Sequence, residues 1–224
     1  MARLLVLAAS AVDFPARRDA PANLRHVGSP LEDVTVPPWM LPWPPGDSRP
    51  LVVVGLSTLA QGQENLMRRC IEAVGTLNEV RALVTLGPSL DAARFGTPPA
   101  NVRLERFAPH STVLPLAAAM VTQCGLGTVA KALAHGVPLV CVPLLGDQPE
   151  NAARVAARGA GLRLPPDATT GRIAEAIRRV LTEPGFRANA ARLSSIMMAG
   201  GSAAERCADQ VESVLASARA VEAP

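Results

Sequence analysis

The sequence predicts an α/β protein built on a doubly wound parallel sheet. Three observations carry that prediction. Apolar runs of four to six residues recur from residue 51 onward, the pattern of strands buried on both faces. Segments with helical spacing separate most of those runs. Small, polar or glycine-rich loops follow several of them, and in such sheets ligands bind at the carboxyl ends of the strands.

The elements follow in order. A strand-like run over 3–9 and an extended piece over 23–28 precede the proline-dense stretch 37–46, which can form neither helix nor ladder and reads as a stiff linker. Within it, Trp39 and Trp43 are expected to pack on a neighbouring surface. Residues 51–56 form the first core strand, and 64–77 a helix with Met67, Ile71, Val74 and Leu77 on one face. Strands are predicted at 81–86, 102–107, 119–122, 137–142 and 161–164. Helices are predicted at 128–135, ending at Gly136, at 150–158, ending at Gly159, and at 169–181. Two more, 184–198 and 202–218, close the chain on either side of Gly200-Gly201.

Composition narrows the function classes. A hydrophobic fraction of 49% with 18% charged residues suits a soluble globular protein. The net charge is only +3, Lys131 is the single lysine among scattered arginines, and aromatics are 3%, which argues against nucleic-acid binding. Cys70, Cys124, Cys141 and Cys207 form neither a C-x-x-C pair nor a metal spacing, so free thiols and no metal are expected. Residues 1–13 share features with a short signal peptide, but Asp13 follows the apolar run at once, and a buried strand and a cytoplasmic protein are favoured. No run approaches the ~20 apolar residues that span a membrane.

Four short segments can carry chemistry. Ser57 and Thr58, in the loop after the first core strand, can donate to a phosphate or cap a helix. The segment Gln123-Cys-Gly-Leu-Gly-Thr128 opens a helix, where backbone N–H groups and the helix dipole suit a diphosphate. There Gly125 and Gly127 permit close approach and Thr128 can cap; a tight turn with nothing bound is the alternative. Asp147 and Gln148 pair an acid with an amide, suited to adjacent sugar hydroxyls, although Asp147 can instead cap the next helix. Phe107-Ala-Pro-His110 ends the third core strand; Phe107 can stack on a base with His110 bonded to it, or serve as a core ring beside a surface histidine. A rival pattern, Gly125-x-Gly127-x-x-Ala130 with Asp147 about 20 residues on, fits a dinucleotide fingerprint, but it sits on a late strand. No catalytic nucleophile–base set is visible.

Taken together, Phe107-Ala108-Pro109-His110, the loop 123–128, Gly136-Val137-Pro138 and Asp147-Gln148 resemble, in order and spacing, the carboxyl-terminal half of GT-B UDP-dependent glycosyltransferases, including the bacterial antibiotic- and macrolide-modifying enzymes. The resemblance implies a single Rossmann-like donor domain over 51–224, with 1–50 a remnant of the acceptor domain and its linker. It implies that Phe107 stacks on the base beside His110, and that Gln123, Gly125, Leu126, Gly127 and Thr128 hold the diphosphate. Asp147 and Gln148 would hold the sugar, with Ser57 and Thr58 near the phosphates. The activity implied is metal-independent hexose transfer from a nucleoside diphosphate sugar, with no separate cofactor, to an acceptor hydroxyl. Two residues depart from the family pattern: Gln123 stands where it has histidine, and Lys131 where it often has an acid. The acceptor pocket and base belong to the family's amino-terminal domain, so the chain is expected to be a fragment, or to work with an acceptor-binding chain. A non-catalytic nucleotide-sugar-binding module and an NAD-dependent oxidoreductase are the competing classes.

Overall fold

The computed structural model describes residues 6–8, 23–29, 31, 38–56, 63–199 and 201–222. Eight strands and seven helices form among them: β1 (Val6–Ala8), β2 (Leu24–His26), β3 (Leu51–Gly55), α1 (Glu64–Gly75), β4 (Arg81–Thr85), β5 (Val102–Glu105), α2 (His110–Val113), β6 (Ala117–Thr122), α3 (Leu126–Ala134), β7 (Leu139–Cys141), α4 (Gln148–Ala157), β8 (Gly161–Arg163), α5 (Thr170–Thr182), α6 (Pro184–Met198) and α7 (Ala203–Glu222). Strands β1 and β2 pair in parallel as a separate two-stranded sheet.

The main sheet has six parallel strands in the order β5-β4-β3-β6-β7-β8. The chain first winds outward from β3 through β4 to β5, then returns to the other side of β3 and winds outward through β6, β7 and β8. The reversal opens a crevice between the carboxyl ends of β3 and β6, the usual place for a ligand in a doubly wound sheet.

Both faces of the sheet are covered, which is why its strands read as continuous apolar runs. Alternation along β3 divides the core: Leu51 and Val53 point to one side, Val52 and Val54 to the other. The first side packs Val129, Ala130, Ala132 and Leu133 of α3, Ala152 and Val155 of α4, and Ala190 and Leu193 of α6. The second packs the apolar stripes of α1 and α5. Trp43 of the proline-rich linker is also buried on the first side, with the Arg81 and Arg103 guanidinium groups 5.7 and 5.9 Å from its ring. The expectation that Trp39 and Trp43 pack on a neighbouring surface holds, with Trp39 half-buried against the same core.

Helix ends obey the sequence signals. Gly136 and Gly159 take φ of 64° and 65° just past α3 and α4, the left-handed conformation that glycine adopts without penalty. Three features depart from expectation. Strand β6 starts two residues early, at Ala117, and β5 stops at Glu105, so Phe107 and His110 lie beyond it. Helix α2 and the adjoining 3-10 turn Leu114–Leu116 had no periodicity to announce them. Helix α3 begins at Leu126, which places Thr128 inside the helix rather than at its cap.

Candidate functional site

Two loops at the carboxyl edge of the sheet build the site. The first joins β6 to α3. Strand β6 ends at Thr122 and Gly125 is the N-cap of α3, so only Gln123 and Cys124 span the turn. Cys124 makes it: its φ of 71° is the only positive value at a non-glycine residue among the described residues. Such a backbone costs about 1 kcal/mol and persists where its surroundings enforce it. Here both polar backbone groups of Cys124 are fixed by side chains. Its N–H donates to Thr122 Oγ1 at 3.2 Å, and its carbonyl accepts from Asn151 Nδ2 at 3.1 Å. Burial first, then the neighbouring buried Cys124 thiol, pushes the free Cys141 thiol at the end of β7 well above the ordinary range.

The two glycines therefore do not serve the turn. Gly125 has an ordinary φ of −59° and ψ of 140°. A Cβ built on it would meet only Gln123 Nε2, at 3.5 Å, and one built on Gly127 would meet nothing within 4 Å. The protein thus leaves open space beside both residues. No side chain caps α3, and its first i-to-i−4 bond is Val129 N–H to Gly125 O. The amides of Leu126, Gly127 and Thr128 precede that bond and have no intrahelical acceptor. Together with the helix dipole, roughly half a positive charge at this end, they form a concentration of donors suited to an anion. Gln123 is buried beside the glycines, and its Oε1 has no hydrogen-bond partner among the described residues.

The second loop joins β7 to α4. Asp147 is the N-cap position of α4, but its side chain makes no capping bond, which removes the capping alternative. Its Oδ2 instead accepts from Asn151 Nδ2 at 2.8 Å, and the residue is exposed. Gln148 is buried, and its Oε1 accepts the N–H groups of Leu144 and Leu145 at 2.9 and 3.1 Å. Both partners are donors, so the carboxamide orientation is fixed, and Gln148 retains only its Nε2 as a group to offer a ligand.

The β5–α2 connection brings the third part. The Phe107 ring is 59% exposed, which excludes the core role. His110 opens α2 and lies near the end of β3: its Nε2 comes within 3.8 Å of a Cβ built on Gly55. Ser57 and Thr58 lie outside the described residues. The structure thus joins the 123–128 loop to Asp147 through Asn151, with Gln148 next in the chain, and sets Phe107 and His110 on the same edge of the sheet. Asn151 was missed in the sequence. Its signal was local, four residues after Asp147 on the helix that Asp147 begins, a spacing that places both on one face.

The chain matches the family described as "Erythromycin biosynthesis protein CIII-like, C-terminal domain" over residues 71–213. It belongs to this family. Among its relatives, 4'-demethylrebeccamycin synthase of Lentzea aerocolonigenes is 44% identical over 187 residues, covering 81% of this chain and 42% of the relative. Demethyllactenocin mycarosyltransferase of Streptomyces fradiae is 35% identical over 176 residues, 78% of this chain and 38% of the relative. The solved structure of the glycosyltransferase VinC in complex with dTDP superposes with a TM-score of 0.71 at 31% identity, covering 93% of this chain and 51% of that one. CalG4, the calicheamicin glycosyltransferase, superposes at 0.73 with 30% identity, covering 90% and 49%. The CIII-like domain therefore has the GT-B carboxyl-terminal fold and is homologous to antibiotic glycosyltransferases. The chain spans about two fifths of the length of these curated relatives. The oxidoreductase alternative gains no support from these relatives, and its proposed ribose acid, Asp147, sits at a helix N-cap rather than at the end of a strand.

Proposed function

We propose that this domain binds a nucleoside diphosphate sugar and forms the donor half of a glycosyltransferase. The observation that carries the reading is the uncapped N-terminus of α3, flanked by two glycines that neither backbone conformation nor packing requires, and tied through Asn151 to Asp147. Gln123 and the amides from Gly125 to Thr128 hold the diphosphate. As the bond from the anomeric carbon to the leaving phosphate breaks, negative charge gathers on that phosphate. Donors fixed before the reaction stabilise it there without reorganising. The charge of the leaving group is thereby met by the loop and helix, without metal or separate cofactor.

Asp147 offers its free Oδ1 as an acceptor for a sugar hydroxyl, while Gln148 offers Nε2 as a donor to a neighbouring sugar oxygen. Phe107 presents an exposed face on which the base stacks, with His110 beside it and Ser57 and Thr58 near the phosphates. The acceptor hydroxyl and the base that deprotonates it come from an acceptor-binding domain or chain, since a general base must reach the reacting hydroxyl within hydrogen-bond distance. Residues 1–50 belong with that acceptor half and its linker, and 51–224 form the donor domain. We place the reaction in the cytoplasm, in keeping with the four free cysteines; among the described residues no helix is long and apolar enough to cross a membrane.

The test is calorimetric titration of the chain with UDP, dTDP, UDP-glucose and dTDP-glucose. Binding of at least one pair is expected, with Asp147→Ala weakening the sugar nucleotide roughly tenfold and the free nucleotide little, the loss of one charge-assisted hydrogen bond. No heat and no thermal shift with any of the four at millimolar concentration would overturn the proposal.

A further inference from the structure

We infer that Asn151 is a positioning residue that couples the diphosphate loop to the sugar loop, so that the two halves of the donor are recognised as one. The inference rests on the donor-site reading above. Asn151 is 5% exposed, and its Nδ2 donates to two acceptors that belong to different loops, Cys124 O at 3.1 Å and Asp147 Oδ2 at 2.8 Å. A primary amide has two such protons, and each is used once.

Each bond sets the direction of a different ligand-binding group. The peptide between Cys124 and Gly125 is trans, as are all described peptides. In a trans peptide the carbonyl and the next N–H point in opposite directions. Holding the Cys124 carbonyl toward Asn151 therefore turns the Gly125 N–H away from it. The same bond helps keep Cys124 in its left-handed conformation, on which the start of α3 depends. The second bond fixes the exposed Asp147 carboxylate by one oxygen and leaves the other for a hydroxyl. One buried side chain thus aims an amide at the phosphates and an acid at the sugar. By contrast, Gln148 Oε1 accepts within its own loop and Thr122 Oγ1 within the first.

The experiment is a double-mutant cycle read by titration with dTDP-glucose and dTDP, and with the UDP pair in parallel. Asn151→Ala is expected to weaken the sugar nucleotide about tenfold or more, the scale of supporting side chains that orient ligand groups, and the free nucleotide less. If Asn151 acts on the sugar through Asp147, its extra effect on the sugar nucleotide disappears in an Asp147→Ala background. Asn151→Asp keeps size and shape but replaces the doubly donating Nδ2 by a single oxygen that faces both a carbonyl and a carboxylate, so it should bind worse than Asn151→Ala, whereas a packing role would leave it near wild type. Additive effects of Asn151→Ala and Asp147→Ala, or equal loss for nucleotide and sugar nucleotide, would overturn the inference while leaving the donor site standing. A wild-type chain that binds none of the four ligands would overturn both. Should Asn151→Asp fail to fold, the Asn151→Ala cycle decides alone.

Discussion

Replacing Gly127 by alanine separates a ligand site from a turn, because the two readings predict opposite consequences for stability and binding. Gly127 is the second residue of α3, and a Cβ there meets nothing within 4 Å. Glycine in a helix costs about 0.5–1 kcal/mol relative to alanine. The first turn recovers only part of that, so Gly127→Ala should stabilise the free chain by about 0.5 kcal/mol. For a domain of this size that raises Tm by roughly 1–2 °C. The new methyl enters the space through which a phosphate oxygen approaches the Gly127 N–H at the usual distance of about 2.9 Å. Losing one hydrogen bond to a charged group costs about 1.5–3 kcal/mol, or roughly 10- to 100-fold in affinity. Differential scanning fluorimetry and calorimetric titration with dTDP and UDP measure both quantities on one sample. A raised Tm with unchanged nucleotide affinity would refute the assignment of the glycine loop to the diphosphate. A lowered Tm would refute the claim that the fold does not need this glycine.

Other predictions concern the framework. Asn101 is buried and its Nδ2 donates to the carbonyls of Val74, Leu77 and Val80, which closes the carboxyl end of α1 onto β5; Asn101→Ala should cost about 2 kcal/mol, read as a lower urea midpoint with an unchanged slope. A Cβ on Gly161 would lie 2.2 Å from Leu139 O, so Gly161→Ala should force β8 off β7 and cost about 3 kcal/mol in the same measurement. Burial pushes the Cys70 thiol up from the ordinary 9.0 to about 12. Its folded pKa is raised, so the stability tied to the neutral thiol is whole below pH 9 and declines as pH rises from there toward 12. With no tyrosine and a single lysine in the chain, the buried thiols Cys70 and Cys141 dominate that window, so Cys70→Ala should remove part of the fall of the urea midpoint between pH 9 and 11 and leave the part due to Cys141. A fall that is equally steep in the variant would show that Cys70 does not carry it.

The sequence revealed what depends on local pattern. Strands buried on both faces left unbroken apolar runs, so β3, β4 and β7 were legible as strands. The ends of α3 and α4 were legible because Gly136 and Gly159 mark a left-handed stop. The amino end of β6 was not, since Ala117 and Ala118 carry no strand signature, and α2 is too short for a period to show. At the site, residue types and order sufficed to gather Gly125, Gly127, Asp147 and Gln148 as candidates. What escaped was who bonds whom. Asn151 reaches Cys124 across 27 residues of sequence, a contact set by how α4 packs beside α3 rather than by any spacing. Gln148 was legible as an amide beside an acid, but its carbonyl turns inward to two backbone N–H groups, and only the structure shows that a donor alone remains.

The division of labour within Cys124-Gly125-Leu126-Gly127 bears on why the loop has this composition. A loop whose task was only to turn the chain would place glycine at the left-handed residue and a side chain where space is open. This one does the reverse. The strained position is occupied by buried Cys124, with its backbone fixed by Thr122 and Asn151 and its free thiol beside that of Cys141. The glycines occupy positions with ordinary backbone and open surroundings. Strain of about 1 kcal/mol is thus borne by a residue whose two backbone groups are held by side chains and whose thiol is buried beside Cys141, although a glycine at 124 would remove it. The arrangement is consistent if the side chain at 124 is needed to anchor the loop to the core while its mouth stays bare. On that account Cys124→Gly should relieve the backbone strain yet loosen the loop, so nucleotide affinity falls even where stability does not. A Cys124→Gly variant with wild-type affinity for every nucleotide tested would show that the anchor is dispensable, and that the open glycines alone make the site.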